Sequence, residues 1–197
     1  MDTAFSSEVW PVPARFAHVT PRDWAARGAT DYPEQWETAR TWLAHFRSYL
    51  VGSPFPEMIG QGLLLTGPAG TGKTMLAASF LTFLRVKQFS TAFIRDKDLH
   101  VLLDTRYPSD DEMDRLWLVE RCACLVVDDA LRMGGKSELL EPFLRYRQDE
   151  GKPTIVTMNN QVNASPVFDS FLHSYTAINL SGEDRRVNPI EVRGARW

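Results

Sequence analysis

Residues 62–76, GLLLTGPAGTGKTML, run apolar, break into glycines, reach a lysine and a threonine, and turn apolar again. They fit the pattern G-x-x-x-x-G-K-[ST] at Gly67, Gly72, Lys73 and Thr74, with Gly70 as an extra glycine. The flanking residues predict a strand before the loop and a helix after it. Glycines let successive backbone N–H groups converge on one point, and the new helix adds its positive end. The segment Gly67, Pro68, Ala69, Gly70, Thr71, Gly72, Lys73 and Thr74 is therefore expected to cradle the phosphates of a nucleoside triphosphate. Lys73 would reach the terminal phosphates, and the Thr74 hydroxyl would ligate Mg2+.

Around this loop the chain alternates short apolar runs with longer amphipathic ones. Strands are predicted over 63–65, 91–95, 124–129 and 154–160, and helices over 74–84, 97–103 and 137–148. A further helix should follow the polar break DTRYPSDDEMDR and run to Glu120. CLVVDD and TIVTMNN are apolar without alternation, as strands covered on both faces are. The expected fold class is α/β: a P-loop NTPase with a parallel sheet flanked by helices.

The opening segment differs in composition. Residues 1–33 hold Pro11, Pro13, Pro21 and Pro33, which predict an extended arm rich in proline and tryptophan, laid over a surface. PEQWETARTWLAHFRSYL then places Trp36, Ala39, Leu43 and Phe46 at helical spacing, with Trp42 beside the stripe, so an amphipathic helix packed on the core is expected. The predicted division is an arm over 1–33 and an ATPase domain over 34–197.

The net charge is −3, without the basic surplus of a protein that grips nucleic acid through many phosphate contacts. Any contact with single-stranded DNA should be weak and dependent on assembly. No apolar run approaches the roughly 18 residues of a membrane span, and the N-terminus lacks a signal-peptide layout, so a cytoplasmic protein with no membrane partner is expected. The two cysteines, Cys122 and Cys124, open an apolar strand and suit buried structural thiols better than zinc ligands.

Two further stretches carry chemistry. LVVDD sets Asp128 and Asp129 at the C-terminal end of a buried strand, where open α/β sheets keep their ligand crevice. Beside a P-loop, Asp128 fits an Mg2+ contact and Asp129 a group that orients the attacking water. Without the loop they would read as a solvated strand end. TIVTMNN ends on Asn159 and Asn160, where a side-chain amide can polarise a water or touch the γ-phosphate; the competing reading is a plain Asn-Asn turn.

Together GPAGTGKT, LVVDD and TIVTMN resemble the Walker A, Walker B and sensor 1 elements of the AAA+ ATPases. Within them, RQDEGKPTIVTMN, GEDRR and PARFAHVTPRDW are similar to runs of the DnaC/IstB group of helicase loaders and transposition helpers. The resemblance spans residues 11–190. It implies ATP as the nucleotide, Asn159 as sensor 1, Arg186 as a sensor 2-like contact, and a core without the C-terminal helical lid, since about 38 residues follow Asn159. It also implies a replicative DNA helicase as partner, single-stranded DNA as its track, and other copies of the chain as further partners. The expected role is an ATP-binding loader with weak ATPase activity, active in DNA replication.

An IstB-like transposition helper and a small-molecule P-loop kinase stay open, as does an adaptor that holds nucleotide without turnover. A transporter motor is disfavoured, because the signature-like LSGED follows LVVDD when it should precede it. Two departures from the group stand out. DDALRMGG delays to Gly134 a glycine that usually follows the acids closely, and SPVFDSFLHSY holds no arginine where a finger is usual. Arg132, Arg185 and Arg186 are the candidate substitutes.

Overall fold

The structure, a computed structural model, describes residues 12–131, 137–159 and 165–182, apart from the side chains of Arg27 and Ser137. The described chain runs α1 (Pro21–Gly28), α2 (Pro33–Ala44), β1 (Leu63–Thr66), α3 (Lys73–Val86), β2 (Thr91–Arg95), α4 (Asp96–Asp104), α5 (Asp110–Arg121), β3 (Cys124–Asp128), α6 (Ser137–Asp149), β4 (Thr154–Met158), α7 (Pro166–Leu172) and β5 (Thr176–Asn179). All five strands are parallel, in the order β2-β3-β4-β1-β5. Their C-terminal ends therefore share one edge of the sheet.

The four strands β1 to β4 divide their side chains between two cores, and β5 adds Ile178 to one of them. Leu63, Leu65, Phe93, Val126, Ile155 and Ile178 face the cluster under α1, α2 and α3, while Leu64, Ile94, Val127 and Val156 face the one under α4 to α7. Both faces are covered, which is why β3 and β4 are buried at every position and read as unbroken apolar runs. β5 pairs only with β1 and alternates in burial, as an edge strand does. Among the described residues no helical domain follows it, and no helix is long and apolar enough to cross a membrane.

The expectation of an extended arm is corrected over its described part. Pro21 and Pro33 do not break helices here; each lies in the first turn, where a missing N–H costs nothing. Thr20 and Asp23 form a capping box at the start of α1. The helix seats Trp24, 3% exposed, in the same cluster as Leu65 and Phe80, with Trp36 stacked on it at 5.5 Å. In α2 the buried tryptophan is Trp42, in the core with Ala39 and Leu43, while Trp36 is only partly buried.

Cys122 and Cys124 are free and buried, and burial pushes both thiols up, away from reactivity. Arg147, fully buried, uses all five N–H donors. It donates to the carbonyls of Val119, Glu120, Cys122 and Pro153 and to the Thr154 hydroxyl, at 2.6 to 3.3 Å. It thereby joins the end of α5 to the turn between α6 and β4.

Candidate functional site

The sequence-predicted residues meet at the C-terminal edge of the sheet. β4 lies between β1 and β3, so the chain beyond Met158 emerges between the P-loop and the Asp128–Asp129 pair. Asn159 is the next residue and is half-buried there. Arg186, Arg185, Arg132, Gly134 and Asn160 lie outside the described residues.

The loop after β1 is shaped by positive-φ glycines, Gly67 at 140°, Gly70 at 83° and Gly72 at 97°. A side chain at Gly67 would also collide with the Leu180 carbonyl beyond β5. Only glycine fits there. Lys73, 6% exposed at the first turn of α3, folds back and donates through Nζ to the Gly67 and Pro68 carbonyls at 2.8 and 2.7 Å. Thr71 closes the loop with a hydroxyl bond to the Pro68 carbonyl at 3.0 Å. A charged amine held by two carbonyls at the mouth of a helix start is a strong electrostatic attractor for a polyanion.

Behind the loop two hydroxyls converge on one carboxylate oxygen. Thr74 and Thr157 donate to Asp128 Oδ1 at 2.8 and 2.7 Å. Burial pushes the Asp128 carboxyl above its usual range. The Thr157 and Thr74 hydroxyls and nearby Arg95 pull it back, while Asp129 adds to the rise. Arg95 pairs in register with Asp128 at the ends of β2 and β3. Among the described residues no group of three or more His, Cys, Asp or Glu could hold a metal. The Thr74 hydroxyl beside the Asp128 carboxylate is nonetheless a hard-oxygen pair suited to Mg2+ that keeps its remaining positions for water and a ligand's phosphates.

The turn after β3 is unusual. Asp129 and Leu131 both adopt left-handed backbone, at φ 57° and 59°, without glycine. That costs about 1–2 kcal/mol at each residue and persists only where neighbours over-determine it. Three consecutive N–H groups are held: Asp129 by Thr157 Oγ1 at 3.0 Å, Ala130 by the Thr157 carbonyl at 2.8 Å, and Leu131 by Asp96 Oδ2 at 2.9 Å. The delayed glycine of DDALRMGG is thus compensated by hydrogen bonds.

Sequence reasoning missed Thr157, Asp96 and Trp24. For Thr157 a signal existed, since a hydroxyl inside a fully buried strand must find a partner. Asp96 lay one residue before the helix predicted over 97–103 and was not read. Trp24 lay in the supposed arm, yet its indole nitrogen donates to the Gly72 carbonyl at 3.2 Å.

Solved structures share this fold. The DnaC helicase loader matches with a TM-score of 0.63 and 21% identity, over 85% of this chain and 99% of that one. DnaI matches with a TM-score of 0.62 and 21% identity, over 88% and 94%. DnaA from Aquifex aeolicus, bound to AMPPCP, matches with a TM-score of 0.63 and 13% identity, over 82% of this chain and half of that one. No family model and no curated protein matches the sequence. The parallel-sheet fold expected from the motifs is thus shared with DnaC, DnaI and DnaA.

Proposed function

We propose that this chain is an ATP-dependent helicase loader, which binds a replicative DNA helicase and helps place it on single-stranded DNA. The observation that carries the proposal is the contact of Thr74 with Asp128, which joins the P-loop to the acidic strand end within a fold that covers nearly the whole of DnaI and DnaC. In this reading Gly67, Pro68, Ala69, Gly70, Thr71 and Gly72 wrap the phosphates. Lys73 leaves the Gly67 and Pro68 carbonyls to bind the terminal phosphates. Thr74 and Asp128 hold Mg2+, Asp129 orients water, and Asn159 and Arg186 sense the γ-phosphate.

Mg2+ would neutralise charge on the β- and γ-oxygens. The ATPase domain spans 34–197, and within residues 1–33 α1 packs onto it through Trp24. Hydrolysis is weak until a partner completes the site. DNA contact is weak for one chain and grows with assembly, since the net charge is −3.

The test uses purified protein, MgATP and the host's replicative helicase. The expected result is an ATP-dependent complex in gel filtration and delivery of the helicase onto circular single-stranded DNA, both lost in Lys73→Ala. Folded protein that binds no nucleotide removes the P-loop reading. Protein that binds ATP but neither joins the helicase nor delivers it overturns the loader role.

A further inference from the structure

We propose that Asp96 is a positioning residue for Asp129: from the first turn of α4 its carboxylate holds the left-handed turn that carries Asp129 beyond β3. The inference rests on the proposed role of Asp129 and extends it to a residue outside the three motifs.

The carboxylate does not cap its own helix. Asp96 is the first residue of α4, Arg95 is the N-cap, and that helix start has no side-chain cap. Asp96 is 4% exposed, and Oδ2 accepts from the Leu131 N–H at 2.9 Å. His100, one turn on, has its Nδ1 at 3.1 Å from Oδ1 and at 2.8 Å from the Asp96 carbonyl oxygen.

The arrangement carries a cost that simple packing would avoid. Asp96 is buried and lies close enough to Asp129 to feel its charge. A buried acid set against the acid it serves makes sense if its geometry is needed. Thr157 supplies the other two ties of the turn, both from β4. Asp96 is the tie from the opposite side, through α4. Without it Leu131, whose branched side chain disfavours positive φ, has no hydrogen bond to keep it there. The turn would relax, and the backbone from which Asp129 projects would move with it.

The experiment compares Asp96→Ala, Asp96→Asn and Asp96→Glu in the full chain, with Asp129→Asn as reference. It reads amide hydrogen exchange over residues 129–131, ATP affinity by calorimetry, and single-turnover hydrolysis. Asn keeps an oxygen for the Leu131 N–H, whereas Glu keeps the charge but displaces it by one methylene. In Asp96→Ala, exchange at Leu131 should quicken about tenfold, as expected for one lost hydrogen bond. Hydrolysis should fall by a similar factor, with ATP affinity unchanged. Asp96→Asn should stay near wild type, and Asp96→Glu should lose more than Asn.

Native exchange at Leu131 in folded Asp96→Ala overturns the proposal, as does a Glu variant that works where Asn fails. Should Asp96→Ala not fold, the Asn and Glu pair still decides between geometry and charge. If Asp129→Asn hydrolyses ATP at the wild-type rate, the role given to Asp129 has failed; exchange at Leu131 then still judges the tie by itself.

Discussion

The Trp24 indole donates to the carbonyl of Gly72, the residue just before the P-loop lysine, and so ties α1 to the loop that is proposed to take the phosphates. A side chain at Gly72 would stand 3.3 Å from that indole nitrogen on a backbone at φ 97°. Trp24 also stacks on Trp36, so loop, α1 and α2 form one connected unit. Trp24→Phe should keep the fold, lower the melting temperature by a few degrees, and weaken ATP binding about two- to tenfold through the loosened loop. Trp24→Ala should cost about 3–5 kcal/mol of stability. Calorimetry and thermal melts check both. Unchanged affinity in Trp24→Phe would show that the bond does not shape the loop.

How much of this was legible depends on the range over which each feature is specified. The P-loop, β3 and β4 carry their signals locally, as glycine spacing and unbroken apolar runs, and they were read within a residue or two. The Thr20–Asp23 box is also local but was not read, since only the prolines of the opening segment were weighed; Pro21 opens a helix because the first turn needs no donor. The role of Asp96 could not be read, and for Thr157 only the need of a partner could, because Leu131, Asp128 and Asp129 become their neighbours only through the order β2-β3-β4. The same holds for Trp24, which meets Gly72 across 48 residues.

Asp128 makes a pH prediction with a definite sign. Burial raises its folded value above the unfolded one, so the folded state holds the proton more tightly. That contribution to stability is fully present below the unfolded value of about 3.9 and is lost as pH rises through the folded value. At neutral pH the ionised carboxylate is a net cost in the protein alone. Asp128→Asn, which can still accept from Thr74 and Thr157, should therefore melt higher than wild type by roughly 2–4 °C for each kcal/mol relieved. The gap should narrow on acidification. Asp96 is shifted the same way, so the difference between the two proteins is the quantity to follow. A variant less stable than wild type at pH 7, in buffer free of metal and nucleotide, would show that the hydroxyl bonds need the charge.

Arg147 should be the most sensitive polar position in the fold. Arg147→Met removes a donor from four carbonyls and the Thr154 hydroxyl in a site closed to water, where the Pro153 carbonyl keeps the Leu125 N–H and the Val119 carbonyl the Cys122 thiol. The expected loss is at least about 3 kcal/mol, since each orphaned buried acceptor costs about 1–3 kcal/mol. Arg147→Lys should recover part of it, because an ammonium offers three donors and no planar fork. Urea unfolding measures both. A loss under about 1 kcal/mol for Met would mean that water or a backbone shift satisfies the carbonyls.

The last prediction concerns the rate of hydrolysis. No arginine occurs between Gln161 and Asp184, the stretch where an arginine finger is expected. Such a residue supplies about three to five powers of ten by stabilising charge on the transferring phosphoryl group. Purified protein should therefore bind ATP and turn it over slowly, with a rate per chain that stays flat as concentration rises. Addition of a partner that presents an arginine in trans should raise it. Two of the chain's own cations compete with this reading. Arg95 is exposed at the end of β2 beside Asp128, and Arg186 follows in the closing segment. Arg95→Ala separates one of them: if Arg95 acts on its own subunit, the slow basal rate should collapse while remaining independent of concentration. A steep rise with concentration, lost in Arg186→Ala and rescued by mixing that variant with Asp129→Asn, would instead mark a finger supplied between copies. That last result would end the claim that the arginine must come from a different protein.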